Sequence, residues 1–239
     1  MSAKAWQGTW RGQLPDGQIH DRARQIIRPS GGIVRGKFPS RKNGRMVHHE
    51  GLLELDAIYL FEMSSRIASY REQPITFCYP DGARLRRYTP DFELTLTAGE
   101  NVLVEVKSKF GLEHDEVRHK LYCVAQHLHR SVKEFVVLDD GTLRQEPRQS
   151  NLRRIYHQAP RVPPSTGACQ AALERFRHHF PMSIASGVHL LGERCIDPFS
   201  LLIAGLLRCD IDRPLTANTL LYLMEEDDAW FCIDQGHGI

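Results

Sequence analysis

The chain has 239 residues, a formal net charge of +2, 41% hydrophobic and 25% charged residues, the composition of an ordinary globular protein of one or two domains rather than a disordered segment. No apolar run approaches the ~18 residues of a membrane-spanning helix, and the opening MSAKAWQGTWRG lacks the apolar core of a signal peptide. The expected setting is therefore the cytoplasm, away from any membrane. The six cysteines (Cys78, Cys123, Cys169, Cys195, Cys209, Cys232) lie far apart with no C-x-x-C pair, a spacing that fits neither a zinc module nor a disulfide framework and predicts reduced, mostly buried thiols.

Charge is unevenly spread. Residues 1–50 carry ten Lys and Arg, among them Lys4, Arg11, Arg35, Lys37, Lys42 and Arg45, against Asp16, Asp21 and Glu50. With Trp6, Trp10 and Phe38 interleaved, residues 1–46 read as a basic arm able to neutralise phosphates without sequence preference and to stack on bases or sugars. The opposite end is acidic, with Asp210, Asp212, Glu225, Glu226, Asp227, Asp228 and Asp234 against Arg213.

In chain order, residues 1–46 predict loops and short strands. Over residues 47–66 the apolar positions Leu52, Leu53, Leu55, Ile58, Tyr59, Leu60 and Met63 recur at helical spacing. A strand follows over residues 73–79, then the turn Pro80-Asp81-Gly82, with residues 84–88 able to pair back across it. DFELTLT (residues 91–97) alternates in period two, AGEN (98–101) is a turn, and VLVEVK (102–107) is a second strand. A long helix fits residues 112–129, and EFVVL (134–138) a buried strand. Residues 47–157 thus predict an α/β core, a mixed sheet flanked by helices. The Pro-rich segment 158–167 reads as a linker. Residues 168–239 predict helices near 168–179 and 197–206 with a shorter one between them. Strands at 208–212, 220–224 and 229–233 follow, the pattern of a small winged-helix-like domain.

Chemistry is concentrated in TPDF (89–92) and VEVK (104–107). Glu105 and Lys107, two apart on a strand, emerge on one face, and Asp91 opens the preceding strand. Carboxylates converging from two strands suit Mg2+, with Mn2+ as substitute. A lysine beside them can act on a metal-bound water and stabilise charge on a phosphodiester. This is the logic of PD-(D/E)xK nucleases, in which a preceding helix supplies a third acid, here Glu54. Asp91 shares the face of Glu105 and Lys107 only if the strands pair odd with odd, for instance Asp91 opposite Lys107. That pairing requires an odd loop or a bulge near residues 98–101, with Gly99 or Asn101 in the left-handed conformation.

KNGRMVHHEGLLEL (42–55), YREQP (70–74), TPDF and VEVK together resemble TnsA, the endonuclease subunit of heteromeric cut-and-paste transposases. The resemblance covers roughly residues 30–140 and, more loosely, the C-terminal half. It implies a restriction-endonuclease-like fold followed by a winged-helix-like domain, with Glu54, Asp91 and Glu105 binding Mg2+ and Lys107 as the catalytic lysine. Some members carry Gln at the position of Glu105. It also implies double-stranded DNA at transposon ends as substrate, cut at the 5′ ends. A partner DDE transposase cuts the 3′ ends, an ATP-dependent transposition regulator is a further partner, and the setting is the bacterial cytoplasm. Two alternatives stay open: a stand-alone restriction-type or repair nuclease, and a non-catalytic nuclease-fold module that binds DNA or recruits proteins. His48, His49, Glu72, Gln73 and Lys109 are further candidates for the site, whereas Arg118 and Lys120 predict a solvated helix face. His178, His179 and the cysteines show no ligand spacing, and no phosphate-binding glycine loop is present.

Overall fold

The computed structural model describes residue 23 and residues 34–225. Trp6, Trp10, most of the basic arm and the strand expected at 229–233 lie outside the described residues. The chain forms two compact units, residues 1–58 with 66–143, and residues 59–65 with 144–239. Each is mixed α/β.

Among the described residues the first unit begins with a hairpin, β1 (Arg35–Ser40) against β2 (Arg45–Glu50); β1 falls in the segment expected to hold loops and short strands, and β2 takes the place of the start of the helix expected at 47–66. Arg45, Val47 and His49 point inward along β2, so a period-two pattern exists there but is carried by an arginine and a histidine. Helix α1 (Leu52–Met63) begins only after Gly51, whose φ of 110° ends the strand. The expected base-stacking and phosphate roles of Phe38 and Arg45 are corrected, since both are buried.

Gly36 sits opposite His49, where an added Cβ would lie 2.5 Å from the ring Nε2. The ring is buried and its Nδ1 is 3.0 Å from the Gly51 carbonyl, so it has little freedom to retreat. Gly36→Ala is expected to destabilise the fold by about 1–3 kcal/mol, read as a lower denaturant midpoint. Gly167→Ala, with nothing within 4 Å of the new Cβ, should be neutral or stabilising.

The first unit also holds a four-stranded mixed sheet in the order β3-β6-β7-β8, from β3 (Ile67–Glu72), β6 (Phe92–Leu96), β7 (Asn101–Val106) and β8 (Glu134–Leu138). The first three strands are antiparallel and β8 pairs parallel to β7. The strand expected at 73–79 divides differently. Residues 67–72 pair with β6, Gln73 turns the chain with φ 46°, and β4 (Phe77–Asp81) forms a separate hairpin with β5 (Arg84–Tyr88) around Gly82-Ala83.

The helix expected at 112–129 is two helices. In α2 (Lys109–Glu113) Ser108 accepts the Gly111 N–H at 3.0 Å, and His114, extended at φ −73°, ψ 122°, separates it from α3 (Asp115–Arg130). Asp115 and Glu116 at its start and His127, His129 and Arg130 at its end suit the helix dipole. Leu121, Val124 and Leu128 of α3 bury against Leu103 of β7 and Tyr79 and Tyr88 of the hairpin, with Phe135 and Val137 alongside. The helix therefore covers the face that carries the odd-numbered residues of β7. A short helix α4 (Asp140–Leu143) follows β8.

The second unit holds α5 (Arg148–Gln158), α6 (Thr166–Phe176), α7 (Ile184–Gly192) and α8 (Pro198–Ile203), with a three-stranded sheet. Its order is β10-β11-β9, from β9 (Met182–Ser183), β10 (Leu207–Arg208) and β11 (Leu220–Leu223). Ser165, Ser183 and Asp197 cap α6, α7 and α8 through their side-chain oxygens. The third strand of this sheet among the described residues is β9, which the sequence pattern did not suggest. The division into units falls at 143/144, ahead of the expected linker at 158–167, because α5 is tied into the second unit. Asn151 donates to the carbonyls of Ile211 and Arg213 at 2.8 and 2.7 Å and accepts the Leu215 N–H at 3.2 Å, and Arg154 donates to the Leu215 carbonyl at 2.6 Å. A truncation near Pro164 would cut inside the second unit and strand α5, and because residues 59–65 also belong to that unit, a single cut at residue 143 does not separate the two cleanly.

Candidate active site

The β6–β7 register decides what meets. Thr95 pairs with Asn101, Glu93 with Leu103 and Phe92 with Val104, so odd residues face odd. The connection is a three-residue loop, Thr97-Ala98-Gly99, closed by the Leu96 N–H to the Glu100 carbonyl at 2.8 Å, and Gly99 takes the left-handed conformation at φ 92°. The parity inferred from chemistry is the parity found. The offset is two residues from the illustrative pair: extending the ladder aligns Asp91 with Glu105 rather than with Lys107.

Glu105 is buried at 3% exposure. Its Oε2 accepts the Tyr88 hydroxyl at 2.6 Å, and its Oε1 lies 3.7 Å from Lys107 Nζ and 3.9 Å from Lys120 Nζ. Burial and the Glu105 carboxylate push the Tyr88 phenol far above its ordinary range, so it remains a donor. Lys120 also lies over the Tyr88 ring, 5.3 Å from its centroid. Lys107 keeps 36% of its side chain exposed against 5% for Glu105, which puts the ammonium at the rim, where a polyanion has access.

Asp91 is partly buried beside this group, and its Oδ2 accepts the Val106 N–H at 2.8 Å. Burial first, then the charges of Glu105 and Glu54, push its carboxyl well above the ordinary carboxylate value, while the Val106 N–H and Lys107 oppose the shift. Glu54, in the first turn of α1, belongs to the same electrostatic cluster, and its Oε2 accepts the Glu50 N–H at 2.6 Å. The ligand oxygens of Glu54, Asp91 and Glu105 are not all within 4.8 Å of one another. Repulsion among three carboxylates opposes closer approach, and the nearby ammonium groups offset only part of it. An all-oxygen donor set with surplus negative charge fits a hard divalent cation.

Other sequence candidates lie elsewhere or serve the frame. Glu72 is consumed by a buried pair with Arg45, at 3.0 and 2.7 Å, and accepts the His48 N–H at 3.2 Å. Gln73 is buried and donates its N–H to the Asp91 carbonyl at 2.8 Å, positioning backbone beside the site. His49 packs over Gly36, and burial lowers its pKa, so it stays neutral. Lys109 turns toward residues 139–141, its N–H donating to Asp140 Oδ1 at 2.6 Å and its ammonium lying over Gly141. Arg118 pairs with Asp115 on the exposed face of α3, as expected. Tyr88 and Lys120 are the site residues that the sequence reading missed. Lys120 flanks the apolar stripe of α3, so its pattern gave an exposed residue, yet the stripe's edge faces β7.

The sequence matches no family model and no curated protein.

Proposed function

We propose that this protein is a metal-dependent DNA endonuclease of the PD-(D/E)xK class. Within that class, the resemblance of its motifs favours the TnsA-type subunit of a heteromeric transposase, cleaving the 5′ ends of a transposon beside a DDE transposase. The observation that carries the reading is the odd-to-odd register, which gathers Asp91, Glu105 and Lys107 on one sheet face, with Glu54 acting on the same carboxylate. Glu54, Asp91 and Glu105 would hold Mg2+, with Mn2+ as substitute, and the ion would supply a Lewis acid and a water acidic enough to attack phosphorus.

The chain's own residues do the rest. Lys107, at the rim, binds a non-bridging phosphate oxygen and stabilises the charge that grows there. Tyr88 and Lys120 fix the Glu105 carboxylate, and the Val106 N–H fixes that of Asp91. The second unit, whose order α6-β9-α7-α8-β10-β11 sets one strand of its small antiparallel sheet between the helices and two after them, is read as winged-helix-like and as the surface that meets the transposase or its ATP-dependent regulator. Sequence recognition then resides with the partner, and the setting is the bacterial cytoplasm. Among the described residues no helix is long and apolar enough to cross a membrane.

The test is cleavage of duplexes carrying transposon ends by the purified full chain with Mg2+ or Mn2+, with and without the neighbouring DDE transposase. The expected result is 5′-end cutting that depends on the transposase. Site-specific cutting by the chain alone would favour a stand-alone nuclease. Binding without cutting in either arm would identify a non-catalytic module.

A further inference from the structure

A second group of metal-type ligands lies away from the acidic site, at the tip of the β4–β5 hairpin. Asp81 is the last residue of β4, paired with Arg84 across the Gly82-Ala83 turn. His119 and Cys123 are one helical turn apart on α3 and therefore share a face. Their ligand atoms and that of Asp81 all lie within 4.8 Å of one another. His119 Nε2 is 2.8 Å from Asp81 Oδ1 and 3.6 Å from Cys123 Sγ.

We propose that Asp81, His119 and Cys123 form a site for a borderline-soft divalent transition metal, of which Zn2+ is the natural occupant. A tetrahedral ion with bonds of about 2.0–2.1 Å to imidazole and about 2.3 Å to thiolate sets N and S about 3.5 Å apart. The observed 3.6 Å matches that chord. The carboxylate oxygen stands at hydrogen-bond distance from the imidazole and needs to open by only about 0.5 Å to reach its own chord. Arg86 Nε, 2.5 Å from Asp81 Oδ2, already aims the other oxygen at His119, the kind of outer contact that orients a ligand. The His119 side chain is 62% exposed, so an ion enters from solvent, and three protein ligands leave a fourth position for water.

Thiolate, imidazole and carboxylate together select against Mg2+, which separates this site chemically from the all-oxygen cluster. Its occupant would pin the hairpin to α3, and that hairpin carries Tyr88, the donor to Glu105. The site has no local signature in the sequence, because its ligands come from a helix and a distant hairpin tip rather than from closely spaced cysteines. The expectation of mostly buried thiols is also corrected: of the described cysteines, Cys78 and Cys195 are exposed, Cys123 is intermediate, and Cys169 and Cys209 are buried.

The experiment titrates the metal-free, reduced full chain with Co2+ in the presence of excess Mg2+. One equivalent should bind with a thiolate-to-cobalt charge-transfer band and the visible absorption of a four-coordinate ion, both erased by Zn2+. Cys123→Ser should remove the charge-transfer band, and His119→Ala should weaken binding by more than about 100-fold, beyond the loss typical of an outer-shell contact. Cys78→Ser and Cys195→Ser should change neither. Circular dichroism of each variant separates ligand loss from misfolding. Absence of a charge-transfer band in the folded wild-type chain, or a band that survives Cys123→Ser, would overturn the proposal and leave Asp81–His119 as a hydrogen-bonded pair only. Neither result bears on cleavage, because the readout is the metal's spectrum.

Discussion

Asp91→Ala is expected to abolish metal-dependent DNA cleavage, by about a thousandfold or more, while DNA binding persists. On the proposed reading, losing a carboxylate from the cluster would remove part of the hold on the metal and of its clamp on the phosphate together, several kcal/mol of transition-state stabilisation at ~1.4 kcal/mol per tenfold. Asp91→Asn is the cleaner variant, because its amide oxygen can still accept the Val106 N–H. The two also separate catalysis from stability. The folded state raises the Asp91 carboxyl well above 3.8, so it binds that proton more tightly than the unfolded chain does. Stability is therefore lost as pH rises from the unfolded value through the folded one, and Asp91 is a net destabilising group above that range. In chelator at neutral pH, Asp91→Asn should melt no lower than wild type and show a flatter pH dependence of melting temperature. Added Mg2+ or Mn2+ should raise the wild-type melting temperature and leave that of the variant unmoved. Mg2+-dependent cleavage retained by either variant would remove Asp91 from the site.

How much of this was legible beforehand follows from which residues carry the pattern. β6, β7 and β8 alternate or run apolar with valine, leucine and phenylalanine, so their positions could be read directly. The demand that Asp91 and Glu105 share a face then fixed the parity of the loop between them. β2 and β3 were not legible. The inward residues of β2 include Arg45 and His49, and β3 has a register shift between Ile67 and Ser69 and ends on the buried Glu72. Polar residues in core positions look like loop. The same blindness assigned Arg45 and Phe38 to a phosphate-binding arm, and Lys120 to a solvated face. In each case tertiary pairing, a partner far along the chain, overrides what the local sequence suggests. The boundary between units was hidden for the same reason, since Asn151 finds its partners at residues 211–215.

Glu72→Ala should be the most damaging single change to the fold, destabilising it by about 3–5 kcal/mol out of the 5–15 kcal/mol typical of a domain. Arg45 and Glu72 have side-chain exposures of 0% and 1% and meet in a two-pronged pair. The guanidinium also donates to the Met46 carbonyl at 3.1 Å, and its Nε already lacks an acceptor. Removing the carboxylate leaves a buried cation with most of its donors unmet and takes the acceptor from the His48 N–H. The double change Arg45→Met with Glu72→Leu removes both charges and fills similar volume. It should recover most of the loss, short of about 1 kcal/mol for the His48 N–H, because a buried pair contributes little against apolar isosteres. Denaturant midpoints for the two single variants and the double variant measure the coupling. A Glu72→Ala protein that keeps wild-type stability but loses cleavage would reverse the assignment, returning Glu72 from the frame to the active site.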